Sequence, residues 1–144
     1  MVVDFHLTRW TSAAAVQPVI RLAFWFVVLM LILLTVVPPS IRPSVVASHH
    51  MEHFASFALA GILYYLSYAH HLLTRLAAAV LFAGGLEVLQ LFVPGRHARL
   101  IDFVMDALGA CTGIVLVFGF AVVQTFSNTR TGGRGAGGQG ARRD

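Results

Sequence analysis

Polar side chains recur in this chain where an apolar segment would not ordinarily carry them. Glu87 and Gln90 lie three residues apart in LEVLQLFV, Asp102 and Asp106 lie four apart in IDFVMDALG, and Glu52 and His53 follow His49 and His50 in HHMEHF. Spacings of three and four place each pair on one face of a helix. Two kinds of chemistry suit such a set. Carboxylates gathered in an apolar setting can perform acid and base work, with Glu87 as base and Asp102 or Asp106 as its partner. The same groups can instead bind a ligand: Arg96 would meet a phosphate or carboxylate, while Glu87 and Gln90 would accept and donate hydrogen bonds to sugar or peptide groups. The ligand-binding candidates are therefore His53, Glu87, Gln90, Arg96, Asp102 and Asp106, and the catalytic candidates are Glu87, Asp102 and Asp106.

Each candidate also has a structural reading. Asp102 suits a cap on the helix that follows it, and Arg96 or Arg99 could pair with Glu87 or Asp106 at the interface. Glu87 resists that explanation. It sits within an apolar helix beside Gln90, and a carboxylate inside a membrane is by default functional, with Arg96 or His53 as its expected partner. His53, Glu87, Asp102 and Asp106 offer ligands suited to zinc or manganese, yet no recognised ligand spacing joins them, so no metal and no cofactor is assigned.

The elements that must position these groups follow from composition. Of 144 residues, 58% are hydrophobic and 11% charged, far from the balance of a soluble globule. The expected fold is all-α: a polytopic membrane protein of four transmembrane helices in a small bundle. Residues 1–17 read as an N-terminal leader on the cytoplasmic side. The membrane domain covers 18–125, with helices at about 19–37, 51–69, 73–93 and 102–123. The first run, VIRLAFWFVVLMLILLTVV, ends at Pro38 and Pro39 and is longer than a secretory h-region, so it is expected to be retained. Small residues at Ser56, Ala60 and Gly61, the Gly84–Gly85 pair, and Gly109 with Gly113 in a GxxxG arrangement suit close helix contact. Tyr64, Tyr65 and Tyr68 suit an interfacial aromatic belt, and His70 with His71 a turn. Residues 126–144 are Gly-rich and basic, the composition of a disordered tail. The lone Cys111 excludes a disulfide framework within one chain.

All ten basic residues are Arg. Arg9, Arg21, Arg75, Arg130 and Arg134 would lie on the side of the termini, against Arg42, Arg96 and Arg99 opposite, which favours cytoplasmic termini in the bacterial inner membrane. Glu87, Asp102 and His53 would then share the outer leaflet, Glu87 about 9 Å below its interface at about 1.5 Å per residue. The net charge of +4 fits contact with anionic lipid and gives no case for nucleic acid.

Taken in order, Glu87-Val-Leu-Gln90, Pro94-Gly-Arg96, Asp102, and Gly109 with Gly113, preceded by His53-Phe54, resemble the ExxQ, PxR, D, G and HF pattern of the VanZ-like family of small bacterial membrane proteins. The likeness covers most of residues 48–113. Two positions depart from it: His49 and His50 stand where the family usually shows Asp-Lys, and Asp106 where it usually shows Asn. The resemblance implies a cell-envelope role, and the family's name comes from a protein linked to resistance to the glycopeptide teicoplanin. It implies no reaction.

Three functions compete on this reading. The first is a non-enzymatic envelope module whose outer polar pocket binds an envelope lipid, a glycan-linked lipid or a glycopeptide-like ligand. The second is a membrane-embedded enzyme using carboxylate acid and base chemistry on a lipid-linked substrate. A small transporter or assembly subunit is third, and four short helices would need an oligomer to enclose a pathway.

Overall fold

Helices carry the structure because nearly every segment is apolar and a backbone in hydrocarbon must satisfy its own hydrogen bonds. The structure, a computed structural model, describes residues 16–37, 49–93 and 99–135. Four helices occupy them: α1 (Val16–Val36), α2 (His49–Ser67), α3 (Leu72–Gln90) and α4 (Leu100–Gly135). There is no strand among the described residues. By length and hydropathy α1, α3 and the Leu100–Ser127 part of α4 can each cross a membrane. The exception, α2, opens with His49, His50, Glu52 and His53, which lowers its apolar content.

The helix least suited to lipid by composition is the one most enclosed by protein. α2 packs most extensively on α4 and also carries α1, while α3 packs chiefly on α4. Glycines make the α2–α4 contact a backbone contact. A Cβ on Gly109 would enter the shell of the Phe54 carbonyl, one on Gly113 that of Ala58, and one on Gly61 that of Ala110. Residue numbers rise together along the seam, so α2 and α4 run parallel, and both begin at the same end of the bundle. The GxxxG expectation therefore holds at Gly109 and Gly113. It does not extend to Gly84 and Gly85: a Cβ at Gly84 would make ordinary contact with the Phe103 ring, at 3.5 Å, and one at Gly85 would meet nothing. Neither glycine faces a neighbouring backbone.

The core is thin, with Ala83 and Ile114 fully enclosed beside Phe57, Ala110 and Leu86. Large apolar side chains cover the outside, including Leu22, Phe26, Leu81 and Leu116. In water this would be an aggregating surface; in a bilayer it is the lipid-facing one. Thr35, polar within α1, donates its hydroxyl to the Leu31 carbonyl at 2.8 Å, the usual way such a residue is accommodated in a span.

Helix limits differ from expectation throughout: α1 starts at Val16 rather than about 19, within the segment read as a leader, and α2 spans His49–Ser67 rather than about 51–69. α3 ends at Gln90 rather than Val93, because Leu91, Phe92 and Val93 turn through i→i+3 bonds of 3.1 Å ahead of Pro94, which disfavours helix at the residue before it. α4 starts two residues early, at Leu100. It also continues to Gly135, well into the segment read as a disordered tail, since adding a residue to a formed helix costs far less than starting one. The leader through residue 15, the connections 38–48 and 94–98, and residues 136–144 lie outside the described residues.

Candidate functional site

Every acidic residue of the chain except Asp4 and Asp144 lies at one end of the bundle. The parallel start of α2 and α4 explains this clustering. Because the two N-termini coincide, the histidines of α2 meet the aspartates in the first two turns of α4, and the antiparallel α3 delivers Glu87 and Gln90 at its C-terminal end.

Asp106 is 2% exposed, and its Oδ1 lies 2.9 Å from Nδ1 of His53. One turn outward, Asp102 Oδ1 lies 3.3 Å from Nδ1 of the more exposed His50. These pairs form a two-rung ladder between α2 and α4. On the third helix, Glu87 Oε1 accepts the backbone N–H of Arg99, the residue that leads into α4. Gln90 is buried one turn along the same face of α3.

This arrangement revises three expectations. Glu87 Oε1 accepts the N–H of Arg99, so it satisfies one of the donors that a helix start leaves over; the carboxylate read as neither cap nor surface residue acts as a cap supplied from another helix. Asp102 occupies the first turn rather than the capping position, its own N–H bonding to the Arg99 carbonyl at 2.9 Å. Its charge still favours the helix start through the dipole. Finally, Glu87 lies one turn from the end of α3 rather than two, about 5 Å from it along the helix axis. Arg96 and the connection holding it lie outside the described residues, as does the side chain of His49.

Among the described residues the site is rich in acceptors. Glu87 Oε2 and Glu52 Oε1 are enclosed and accept no hydrogen bond among the described residues, while Asp102 Oδ1 has the 3.3 Å approach of His50 Nδ1. A buried carboxylate oxygen without a donor carries a desolvation cost of a few kcal/mol. Such oxygens are matched by groups that donate: hydroxyls, amines or an ammonium. No group of three or more metal-ligating side chains is assembled among the described residues.

A second set of polar contacts, read in the sequence only as topology-setting charge, sits at the opposite end. There Gln17 Nε2 donates to the Leu66 carbonyl, Arg21 Nε to that of Ser67, and Arg75 Nη2 to that of Tyr68, at 3.2, 3.3 and 3.0 Å. Three donors from two helices thus close the C-terminal end of α2, where cations suit the dipole. Arg75 is 3% exposed and lies over the Tyr65 ring, 3.7 Å from its centroid. Tyr65 is therefore a buried partner of Arg75, while Tyr64 and Tyr68 join Phe24 in an aromatic cluster. The available signal was the position of Arg21 and Arg75, near the ends of two apolar runs.

A family model described as VanZ/LLP1 matches residues 7–124. No curated protein and no solved structure matches the chain.

Proposed function

Because the chain belongs to the VanZ/LLP1 family and has helices able to cross a membrane, we propose that it is a cell-envelope protein of the bacterial inner membrane whose polar cluster binds the hydroxyl- or amine-bearing headgroup of an envelope lipid or a glycopeptide-like ligand. The observation that carries this reading is the pair of enclosed, unmatched acceptors Glu87 Oε2 and Glu52 Oε1 at the end of the bundle that also holds Asp102 and Asp106. Gln90 adds a side chain that both donates and accepts, and Arg96 supplies the cation for a phosphate or carboxylate on the same ligand.

The binding test uses the full chain in phosphatidylcholine nanodiscs, with phosphatidylethanolamine or an amino-sugar glycolipid added as probe. A ligand at a hundred times its Kd stabilises the folded state by about 2.7 kcal/mol, so the melting temperature should rise with one of these probes. The rise should be absent in Glu87→Ala and in Arg96→Ala. An equal rise in both variants would remove the site from consideration.

A second reading, enzymatic, has one observation in its favour. Asp106 holds Nδ1 of His53 at 2.9 Å, an orientation that leaves Nε2 as the ring's other proton-transfer atom. Release of a labelled headgroup from the same nanodiscs, lost in Glu87→Gln and Asp106→Asn, would favour the enzyme over the binding module. Binding without release favours the module.

Orientation follows the arginine balance, with both termini cytoplasmic and the polar cluster outside. Single cysteines at His97 and Ser127 in a Cys111→Ala background test it in intact cells. An impermeant maleimide should label position 97 alone. Labelling at 127 alone would invert the protein and direct the ligand search to cytoplasmic lipid intermediates.

A further inference from the structure

Away from the carboxylates, a cavity of about 400 Å³ opens between α1, α2 and α3, a volume within the usual range of small-molecule sites, about 300–1,000 Å³. Its floor is made of small residues: Ala60 and Gly61 of α2, Ala79 of α3 and Ala110 of α4. Phe24 and Trp25 wall it on one side and Phe82 on the other. It runs along α2 from Phe57 to Tyr68, about 16 Å at about 1.5 Å per residue. That is close to half of the roughly 30 Å hydrocarbon layer, the depth of one leaflet. Phe57 and Phe82, with ring centroids 6.2 Å apart, stand at its inner end.

The outer end is aromatic and cationic. Tyr68 and His70 line it, their rings stacked 6.2 Å apart, and Trp25 Nε1 donates to the Tyr68 hydroxyl at 3.0 Å. The exposed Arg21 lies 5.4 Å from the Tyr68 ring centroid and, among the described residues, donates through Nε to the Ser67 carbonyl, a geometry that turns its two Nη groups to an anion. Among the described residues no acidic side chain competes for them, since Glu52, Glu87, Asp102 and Asp106 all belong to the opposite end of the bundle.

We propose that this crevice is a second, separate lipid site, which takes one acyl chain of an anionic phospholipid and holds the phosphate at Arg21, Tyr68 and His70. An apolar slot between lipid-facing helices forfeits dispersion contacts along its whole lining if left empty, and hydrocarbon is the material at hand in the bilayer. A helix, about 10 Å across with its side chains, is too wide for a slot of this volume. The charge at the mouth selects among lipids: cationic residues between membrane helices at the headgroup level favour anionic ones.

The test follows Trp25, which lines the crevice, in the full chain carrying Trp10→Phe. Phosphatidylcholine nanodiscs receive increasing amounts of phosphatidylglycerol or phosphatidylcholine brominated on an acyl chain, and quenching of Trp25 fluorescence is recorded. Quenching by the anionic lipid should saturate at low mole fraction, with an apparent affinity about fivefold above that of the zwitterionic lipid, the ratio one interfacial Arg provides. Arg21→Gln should bring the two lipids level. Ala79→Leu, which fills the floor, should abolish saturation, and Ala78→Leu at the half-buried neighbouring position does the same should Ala79→Leu fail to fold. Quenching that rises linearly and equally with both lipids in the parent protein overturns the proposal, as does undiminished saturation in a folded leucine variant. Neither result bears on the polar cluster, which these substitutions leave in place.

Discussion

Gly113→Ala and Gly109→Ala should each lower the stability of the folded protein by about 2–3 kcal/mol, at the upper end of what one inserted methyl group costs in a packed interior. At both positions the new Cβ would collide with a carbonyl of α2, that of Ala58 or Phe54. A side chain in the way could rotate aside, but a helix carbonyl moves only if the helix moves. α2 cannot retreat far, because α1 packs on it as well. Gly85→Ala and Gly119→Ala are the controls: a Cβ there meets nothing, and alanine should stabilise the helix by up to about 1 kcal/mol. Thermal melting in mild detergent separates the pairs. If all four variants melt alike, the α2–α4 seam is not a backbone contact. The same substitutions should also displace the polar cluster, since the seam sets the register between His53 and Asp106.

The second large effect is expected at that pair. Asp106→Ala and His53→Ala should each cost about 1–3 kcal/mol, because either change leaves a mostly enclosed polar group without its partner. Asp106 is 2% exposed, and the His53 side chain 14%. The double variant should cost less than the sum of the two, with a coupling of about 1–2 kcal/mol in a mutant cycle. The outer rung gives the contrast. Half of the His50 side chain is open to its surroundings, at 45% exposure, so His50→Ala should change stability by about 0.5 kcal/mol or less. Additive effects at His53 and Asp106 would show that the 2.9 Å contact contributes nothing of its own.

Much of this architecture was legible in the chain. Long apolar runs broken at Pro38 and Pro94 mark helices whose backbones must satisfy themselves in lipid, and Gly109 with Gly113 marks a helix contact from spacing alone. Helical periodicity likewise assigned Glu87 with Gln90, and Asp102 with Asp106, to common faces. Pairing was a different matter. Sequence reading directed Glu87 to the side chains of Arg96 or His53 and missed the main-chain N–H of Arg99 that its carboxylate receives, as well as the pairing of His53 with Asp106. The Arg21 and Arg75 clamp on the end of α2 was equally hidden, because its acceptors are main-chain carbonyls that no residue type announces.

The local pattern of a helical chain determines which residues share a face, since that depends only on the 3.6-residue turn. It does not determine which face meets which neighbour. That was decided by the approach of Gly61, Gly109 and Gly113 to facing backbones, which locks α2 beside α4 in parallel and so brings two helix starts, two histidines and two aspartates to one place. Composition made this a membrane bundle. The polar cluster at one end and the apolar crevice toward the other exist because backbone contact fixed the rotation and register of helices whose outer surfaces lipid would accept in many orientations.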